Sequence, residues 1–171
     1  IDRYVTYNYV EQSWAIGQLE RTAWLDEGIV AFPRAAGKDS STPYLYQHET
    51  GNDNDGSPMD NVFIESADFD IGDGEQFQFI RRMIPDVKFT GSNNDQQINV
   101  VLKQRNYPGD SLSTDQTTSF TASTTKIDMR ARARQAALRF ESDDDANSAL
   151  RTGVGFRVGA TRLDLQPNGR R

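Results

Sequence analysis

The densest group of hard oxygen ligands is Asn52-Asp53-Asn54-Asp55-Gly56, with Asp60 close behind, a composition that suits a calcium loop. An EF-hand loop closes with a bidentate Glu at its twelfth position. Counted from Asp53 that position is Ile64, and Glu65 stands one step out of register. Asp53 and Asp55 are therefore only weak candidates for a cation site, and a surface turn is the simpler reading. No metal or other cofactor is expected.

A second carboxylate group, Glu65, Asp68, Asp70 and Asp73, runs into Gly72-Asp73-Gly74. Paired carboxylates are the acid and base, or acid and nucleophile, of a glycosidase. Asp68 and Asp70 would share one strand face at about 7 Å, but acid/base work also needs one pKa raised by burial. Solvated strand and turn residues are the plainer reading. The chain has no cysteine and one histidine, His48. That excludes thiolate zinc sites and cysteine nucleophiles and leaves carboxylate, Lys, Ser or Tyr chemistry. His48, among polar neighbours and with no second histidine, reads as a surface residue, and no enzymatic activity is expected.

Arg130, Arg132 and Arg134 alternate with Ala131 and Ala133, placing a basic stripe on one strand face. Arginines so placed could meet phosphates. Against a net charge of -6 (19 Lys plus Arg, 25 Asp plus Glu), and without interleaved aromatics for base stacking, they read better as partners for acidic surfaces, within the domain or on a neighbouring subunit. They are the subunit-interface candidates. Trp14, Trp24, Tyr4, Tyr7 and Tyr9 read as core or interface packing in preference to a ligand-stacking platform.

The elements that must carry these residues are strands. Two-residue alternation recurs along most of the 171 residues. Val5, Tyr7 and Tyr9 lead through Glu11-Gln12-Ser13 to Trp14 and Ile16, a hairpin. Further strands are expected at 22–25, at 29–32 before Pro33, at 62–64, from Gln76 to Ile84, and at Ile98, Val100 and Leu102, half-buried. The Thr/Ser-rich stretch 111–125 around Phe120 reads as a polar strand or exposed loop, a candidate subunit contact. Lys126 to Glu141 admits a helical stripe or a strand. The strand reading requires a break near Arg134-Gln135, because unbroken alternation would put Ala136, Leu138 and Phe140 on the arginine face. Asp143-Asp144-Asp145 reads as a solvated turn, and Val154 to Val158 and Leu163 to Leu165 as the last strands. The expectation is an all-β chain of about eight to eleven strands with no helix. No run approaches the roughly 18 consecutive apolar residues of a membrane-spanning helix, so this segment is not expected to insert in a membrane.

Several of these motifs together carry a resemblance. Tyr7-Asn8-Tyr9 with Trp14, Arg21-Thr22-Ala23-Trp24, residues 64–74 (Ile-Glu-Ser-Ala-Asp-Phe-Asp-Ile-Gly-Asp-Gly), Arg81-Arg82-Met83-Ile84-Pro85-Asp86, Arg130 through Arg134, and residues 159–164 with Asn168-Gly169-Arg170 resemble the carboxy-terminal part of tail nozzle, or tail tubular (hub), proteins of short-tailed bacteriophages. The resemblance implies a virion structural protein of the phage tail, assembled in the host cytoplasm. It also implies a homo-oligomeric ring, commonly a hexamer, beside adaptor, portal or fibre proteins, with DNA passing through the channel at ejection. On that analogy residues 1–32 would be the last strands of a β-propeller blade, 33–59 a linker, and 60–171 an antiparallel β-sandwich-like platform domain. A full propeller needs several blades of roughly 40 residues, so the chain is expected to be the carboxy-terminal piece of a longer polypeptide. The competing readings are a β-sandwich binding module, carbohydrate-directed or calcium-assisted, and the glycosidase above.

Overall fold

The structure is a computed structural model that describes residues 2–39, 41–59, 61–91, 96–142 and 153–170. Among these residues the chain is all-β, with fourteen strands in antiparallel sheets and no helix. It divides into two compact units, Ile1–Gly51 and Asn52–Arg171.

The amino-terminal unit starts with a hairpin of β1 (Arg3–Asn8) and β2 (Ser13–Gln18), turned where Asn8 Oδ1 accepts the backbone N–H groups of Val10 and Glu11. Pleating puts Val5 and Tyr7 opposite Ile16 and Trp14 on one face, and Tyr4 and Thr6 opposite Gly17 and Ala15 on the other. The Tyr4 ring fills the space a Cβ on Gly17 would need, so the glycine is what lets the ring lie flat across the strands. β3 (Ala23–Leu25), β4 (Arg34–Asp39) and β5 (Thr42–Gln47) form a three-stranded sheet. Two expectations change here. The 33–59 segment is no linker, since β4 and β5 lie in it and the unit boundary falls at Gly51/Asn52. Pro43 is accommodated in the edge strand β5, and Gly37 by the close approach of Arg21 described below. Residues 29–32 form no strand: the chain bends from the Gly28 turn (φ 152°) to Pro33, and the Val30 carbonyl takes the local Gly28 N–H (3.3 Å) in place of a ladder bond.

The carboxy-terminal unit is a two-sheet sandwich. One sheet has the order β10 (Ser113–Thr121), β9 (Gln97–Arg105), β12 (Gln135–Ser142), β6 (Phe63–Glu65); the other has β11 (Ile127–Ala133), β7 (Gln78–Ile84), β14 (Arg162–Pro167). A ribbon of β8 (Val87–Thr90) and β13 (Gly155–Val158) adds Val87, Phe89, Phe156 and Val158 to the core. Ile80 and Met83 from β7, Ile98, Val100 and Leu102 from β9, and Leu138 and Phe140 from β12 form the centre.

The helix-or-strand ambiguity of 126–141 resolves as a strand pair broken at Arg134, where the chain leaves one sheet and enters the other. Ile127, Met129, Ala131 and Ala133 point inward before the break, and Ala136, Leu138 and Phe140 after it. The fully buried Gln78 pins the corner, its Nε2 donating to the carbonyls of Phe69 (3.1 Å) and Arg134 (3.4 Å). β9 is buried on both faces at Ile98–Leu102, not half-buried as its alternation suggested, because charged side chains roof its outer face. Phe120 is no loop tip. It lies in β10, buried, with its ring edge-on to Phe89 and Phe140. The 143–145 turn falls outside the described residues.

Candidate functional site

The outer face of the β10-β9-β12-β6 sheet gathers the acidic residues of the 65–70 segment. Lys103 on β9 reaches across β12 to Glu65 on β6 (2.6 Å), over the small, fully buried Ala137 that pairs with it. Arg139 meets Glu65 (3.5 Å) and Glu141, with its guanidinium 3.7 Å from the Phe63 ring centroid. Arg105 forms an ion pair with Asp68 and donates to Gln135 Oε1 (2.8 Å), while Gln135 Nε2 donates to Asp70 (3.2 Å). The Lys103 hydrogen bond, helped by the charges of Lys103 and Arg139, holds the Glu65 carboxyl below its ordinary value despite partial burial. A general acid needs the opposite shift. Asp68 and Asp70 do not share a strand face, because β6 ends at Glu65 and only Phe69 bridges onward, to Ala136. Each carboxylate is held by its own donor.

Asp53 Oδ1 accepts the Gly56 backbone N–H (2.8 Å), and Asn54 and Ser57 exchange backbone hydrogen bonds around Asp55 (φ 52°) and Gly56 (φ 79°). Two successive positive φ values define a type I′ turn, so the turn accounts for this Asn-Asp-Asn-Asp-Gly run. Among the described residues no three His, Asp or Glu side chains gather as a metal site; Asp60 lies outside them.

The basic stripe sits on β11, an edge strand. Arg130 and Arg132 are exposed and Arg134 half-buried. Arg132 stacks 4.0 Å from the Phe77 ring centroid and donates to Asn168 at both its Oδ1 and its carbonyl. Arg134 lies 5.0 Å from the same ring and donates to the carbonyls of Gly74 and Arg170. These two arginines thus help close the sandwich end through carbonyls and a ring. Arg130 is exposed on the same strand, and Arg82 of β7, opposite Asp128, is paired with Asp164 (3.2 Å).

The amino-terminal unit holds a cluster that the sequence reading missed. Tyr44, Tyr46 and His48 lie two residues apart, so they line one face of β5 and its extension, with Trp24 across from them. The Arg21 guanidinium stacks 3.6 Å from the Tyr46 ring centroid, and its Nε donates to His48 Nε2 (3.1 Å). The His48 ring packs 4.7 Å from Trp24. Burial and the Arg21 charge push the His48 pKa below its ordinary value, keeping the imidazole neutral so that Nε2 can accept. His48 is therefore a half-buried member of a stack and no free surface residue. The period-two aromatic row was the available signal. A cleft of about 590 Å³ opens beside this stack, lined on its other side by Tyr4 and Thr6 of β1. The opposite face of the hairpin stays open, with Val5 66%, Trp14 71% and Ile16 83% exposed.

Compared with known proteins, the chain matches no family model and no curated protein sequence.

Proposed function

We propose that the chain is a mechanical subunit of a bacteriophage tail, one member of a nozzle or hub ring through which DNA passes at ejection, with no catalytic role of its own. The observation that carries this reading is the open apolar face of the β1–β2 hairpin. Val5, Tyr7, Trp14 and Ile16 present on the order of 500 Å² of apolar surface, at the upper end of what a free monomer exposes. A two-stranded hairpin is at best marginally stable by itself. Strands of this kind belong against further protein, as the last strands of a propeller blade do. The motifs quoted above supply the link to tail nozzles. The arrangement of carboxylates supports a structural reading too, since Glu65, Asp68 and Asp70 are tied to donors.

In the ring, copies meet head to tail, and Arg130, exposed on the β11 edge, faces acidic surface of the neighbour. Negative-stain images and mass measurement of the purified protein test this. A closed ring of identical copies is expected. Arg130→Glu should shift the population toward monomers and strengthen the dependence of assembly on salt. A wild-type protein that stays monomeric at micromolar concentration overturns the reading.

A further inference from the structure

We propose that the cleft of the amino-terminal unit is a saccharide site, in which a pyranose ring lies against Trp24 and its hydroxyls are read by the surrounding polar groups. This is independent of ring assembly and uses none of the β11 arginines.

Three observations carry it. First, the cleft's volume, about 590 Å³, falls within the range of small-ligand sites. Second, its wall is built in advance. The stack Tyr46–Arg21–His48–Trp24 is fixed by a guanidinium–ring contact, a hydrogen bond and a ring–ring contact. Arg21 Nη1 is further tied to the Glu20 carbonyl (2.7 Å). Trp24, at the end of that stack, is 53% exposed. An indole held in place and half open to solvent offers a flat apolar surface whose ordering cost has already been met. Gly37 makes the arrangement possible, because a Cβ there would stand 3.2 Å from Arg21 Cδ and 2.5 Å from the Glu20 carbonyl oxygen.

Third, the lining mixes donors and acceptors. Arg3 brings donors, Glu49 a carboxylate acceptor, Thr6 a hydroxyl that does both, and Thr22, whose hydroxyl already donates to the Ala36 carbonyl (3.3 Å), a further acceptor. Sugar hydroxyls donate and accept at once, and one face of a pyranose ring is apolar, so the two surfaces match. A phosphate or nucleotide would meet Glu49 as well as the arginines, and His48 is held neutral, so an anion gains little.

The test exploits the two tryptophans. Trp14 points from the other hairpin face, so Trp14→Phe leaves Trp24 as the single reporter at the cleft. Its emission is followed while glucose, galactose, N-acetylglucosamine and, separately, inorganic phosphate are added to millimolar excess. A saturable change with at least one sugar and none with phosphate is expected. Glu49→Gln, which exchanges one of the two carboxylate acceptors for a donor and leaves the stacked rings in place, should raise the sugar Kd about tenfold. Gly37→Ala should abolish the change by displacing Arg21. If no sugar gives a saturable response, or if phosphate gives the same one, or if Glu49→Gln binds as tightly as the parent, the proposal fails. Gly37→Ala counts only when its circular dichroism matches the parent, and Glu49→Gln decides the matter either way.

Discussion

Glu65 shows how a single carboxylate can organise a sheet face. It takes Lys103 from β9 and Arg139 from β12 while standing on β6, so three strands are cross-tied at one oxygen. Its folded pKa is lowered, chiefly by the Lys103 hydrogen bond. The stabilisation is therefore fully present above the ordinary value of 4.5 and disappears as pH falls through the lowered folded value. Glu65→Gln should cost about 1 kcal/mol at neutral pH, and the gap from wild type in urea unfolding should close as the carboxylate range is crossed. His48 has a lowered folded pKa too, but on a base. Below its ordinary value of 6.5 the unfolded chain takes up a proton that the folded one refuses. The amino-terminal unit should thus lose stability as pH falls from 6.5 toward the lowered value, and Trp24 emission in a Trp14→Phe background would follow it. His48→Gln should flatten that dependence.

At the scale of elements, the corner at Arg134 matters most. Gln78 caps two carbonyls there from a fully buried position, so Gln78→Leu takes a donor from the Arg134 carbonyl and leaves the Phe69 carbonyl its bond from the Ala136 N–H alone (3.0 Å); this should destabilise the sandwich by about 1 to 3 kcal/mol. Phe120→Ala, removing the ring between Phe89 and Phe140, should cost about 3 to 5 kcal/mol. Both are read as urea midpoints. The corner was legible in the sequence because a phase error in alternation can be mended only by a break, and the run of Ala136, Leu138 and Phe140 located it. The burial of Phe120 was not, since Thr and Ser around it look alike on an edge strand and in a loop. Nor was β4. Arg-Ala-Ala-Gly-Lys-Asp has no alternation to show, and it is a strand because β3 and β5 pair with it on both sides. The wall of the cleft was half legible, in the spacing of Tyr44, Tyr46 and His48. Arg21 joins it through tertiary contact alone, and nothing local in the sequence announces that.

For the whole molecule, the two units differ in kind. The sandwich buries a continuous core from both sheets, whereas the amino-terminal unit buries Ala35 and leaves Val5, Trp14, Ile16 and Leu45 exposed. Unequal stability follows. In native-state hydrogen exchange, amides of β9, β11 and β12 should be protected far longer than those of β1–β3, and the β1–β2 amides should gain protection on assembly. The passage of β11 into β12 has one more consequence. A run of strand from Ile127 to Ser142, with an irregularity between Asp128 and Ala131 and a break at Arg134, is paired into both sheets. Tension along it must shear two ladders together instead of peeling one, and neither sheet can slip its register without dragging the other. Built into a conduit under pressure, such a splice would let the wall bear load as one sheet rather than two.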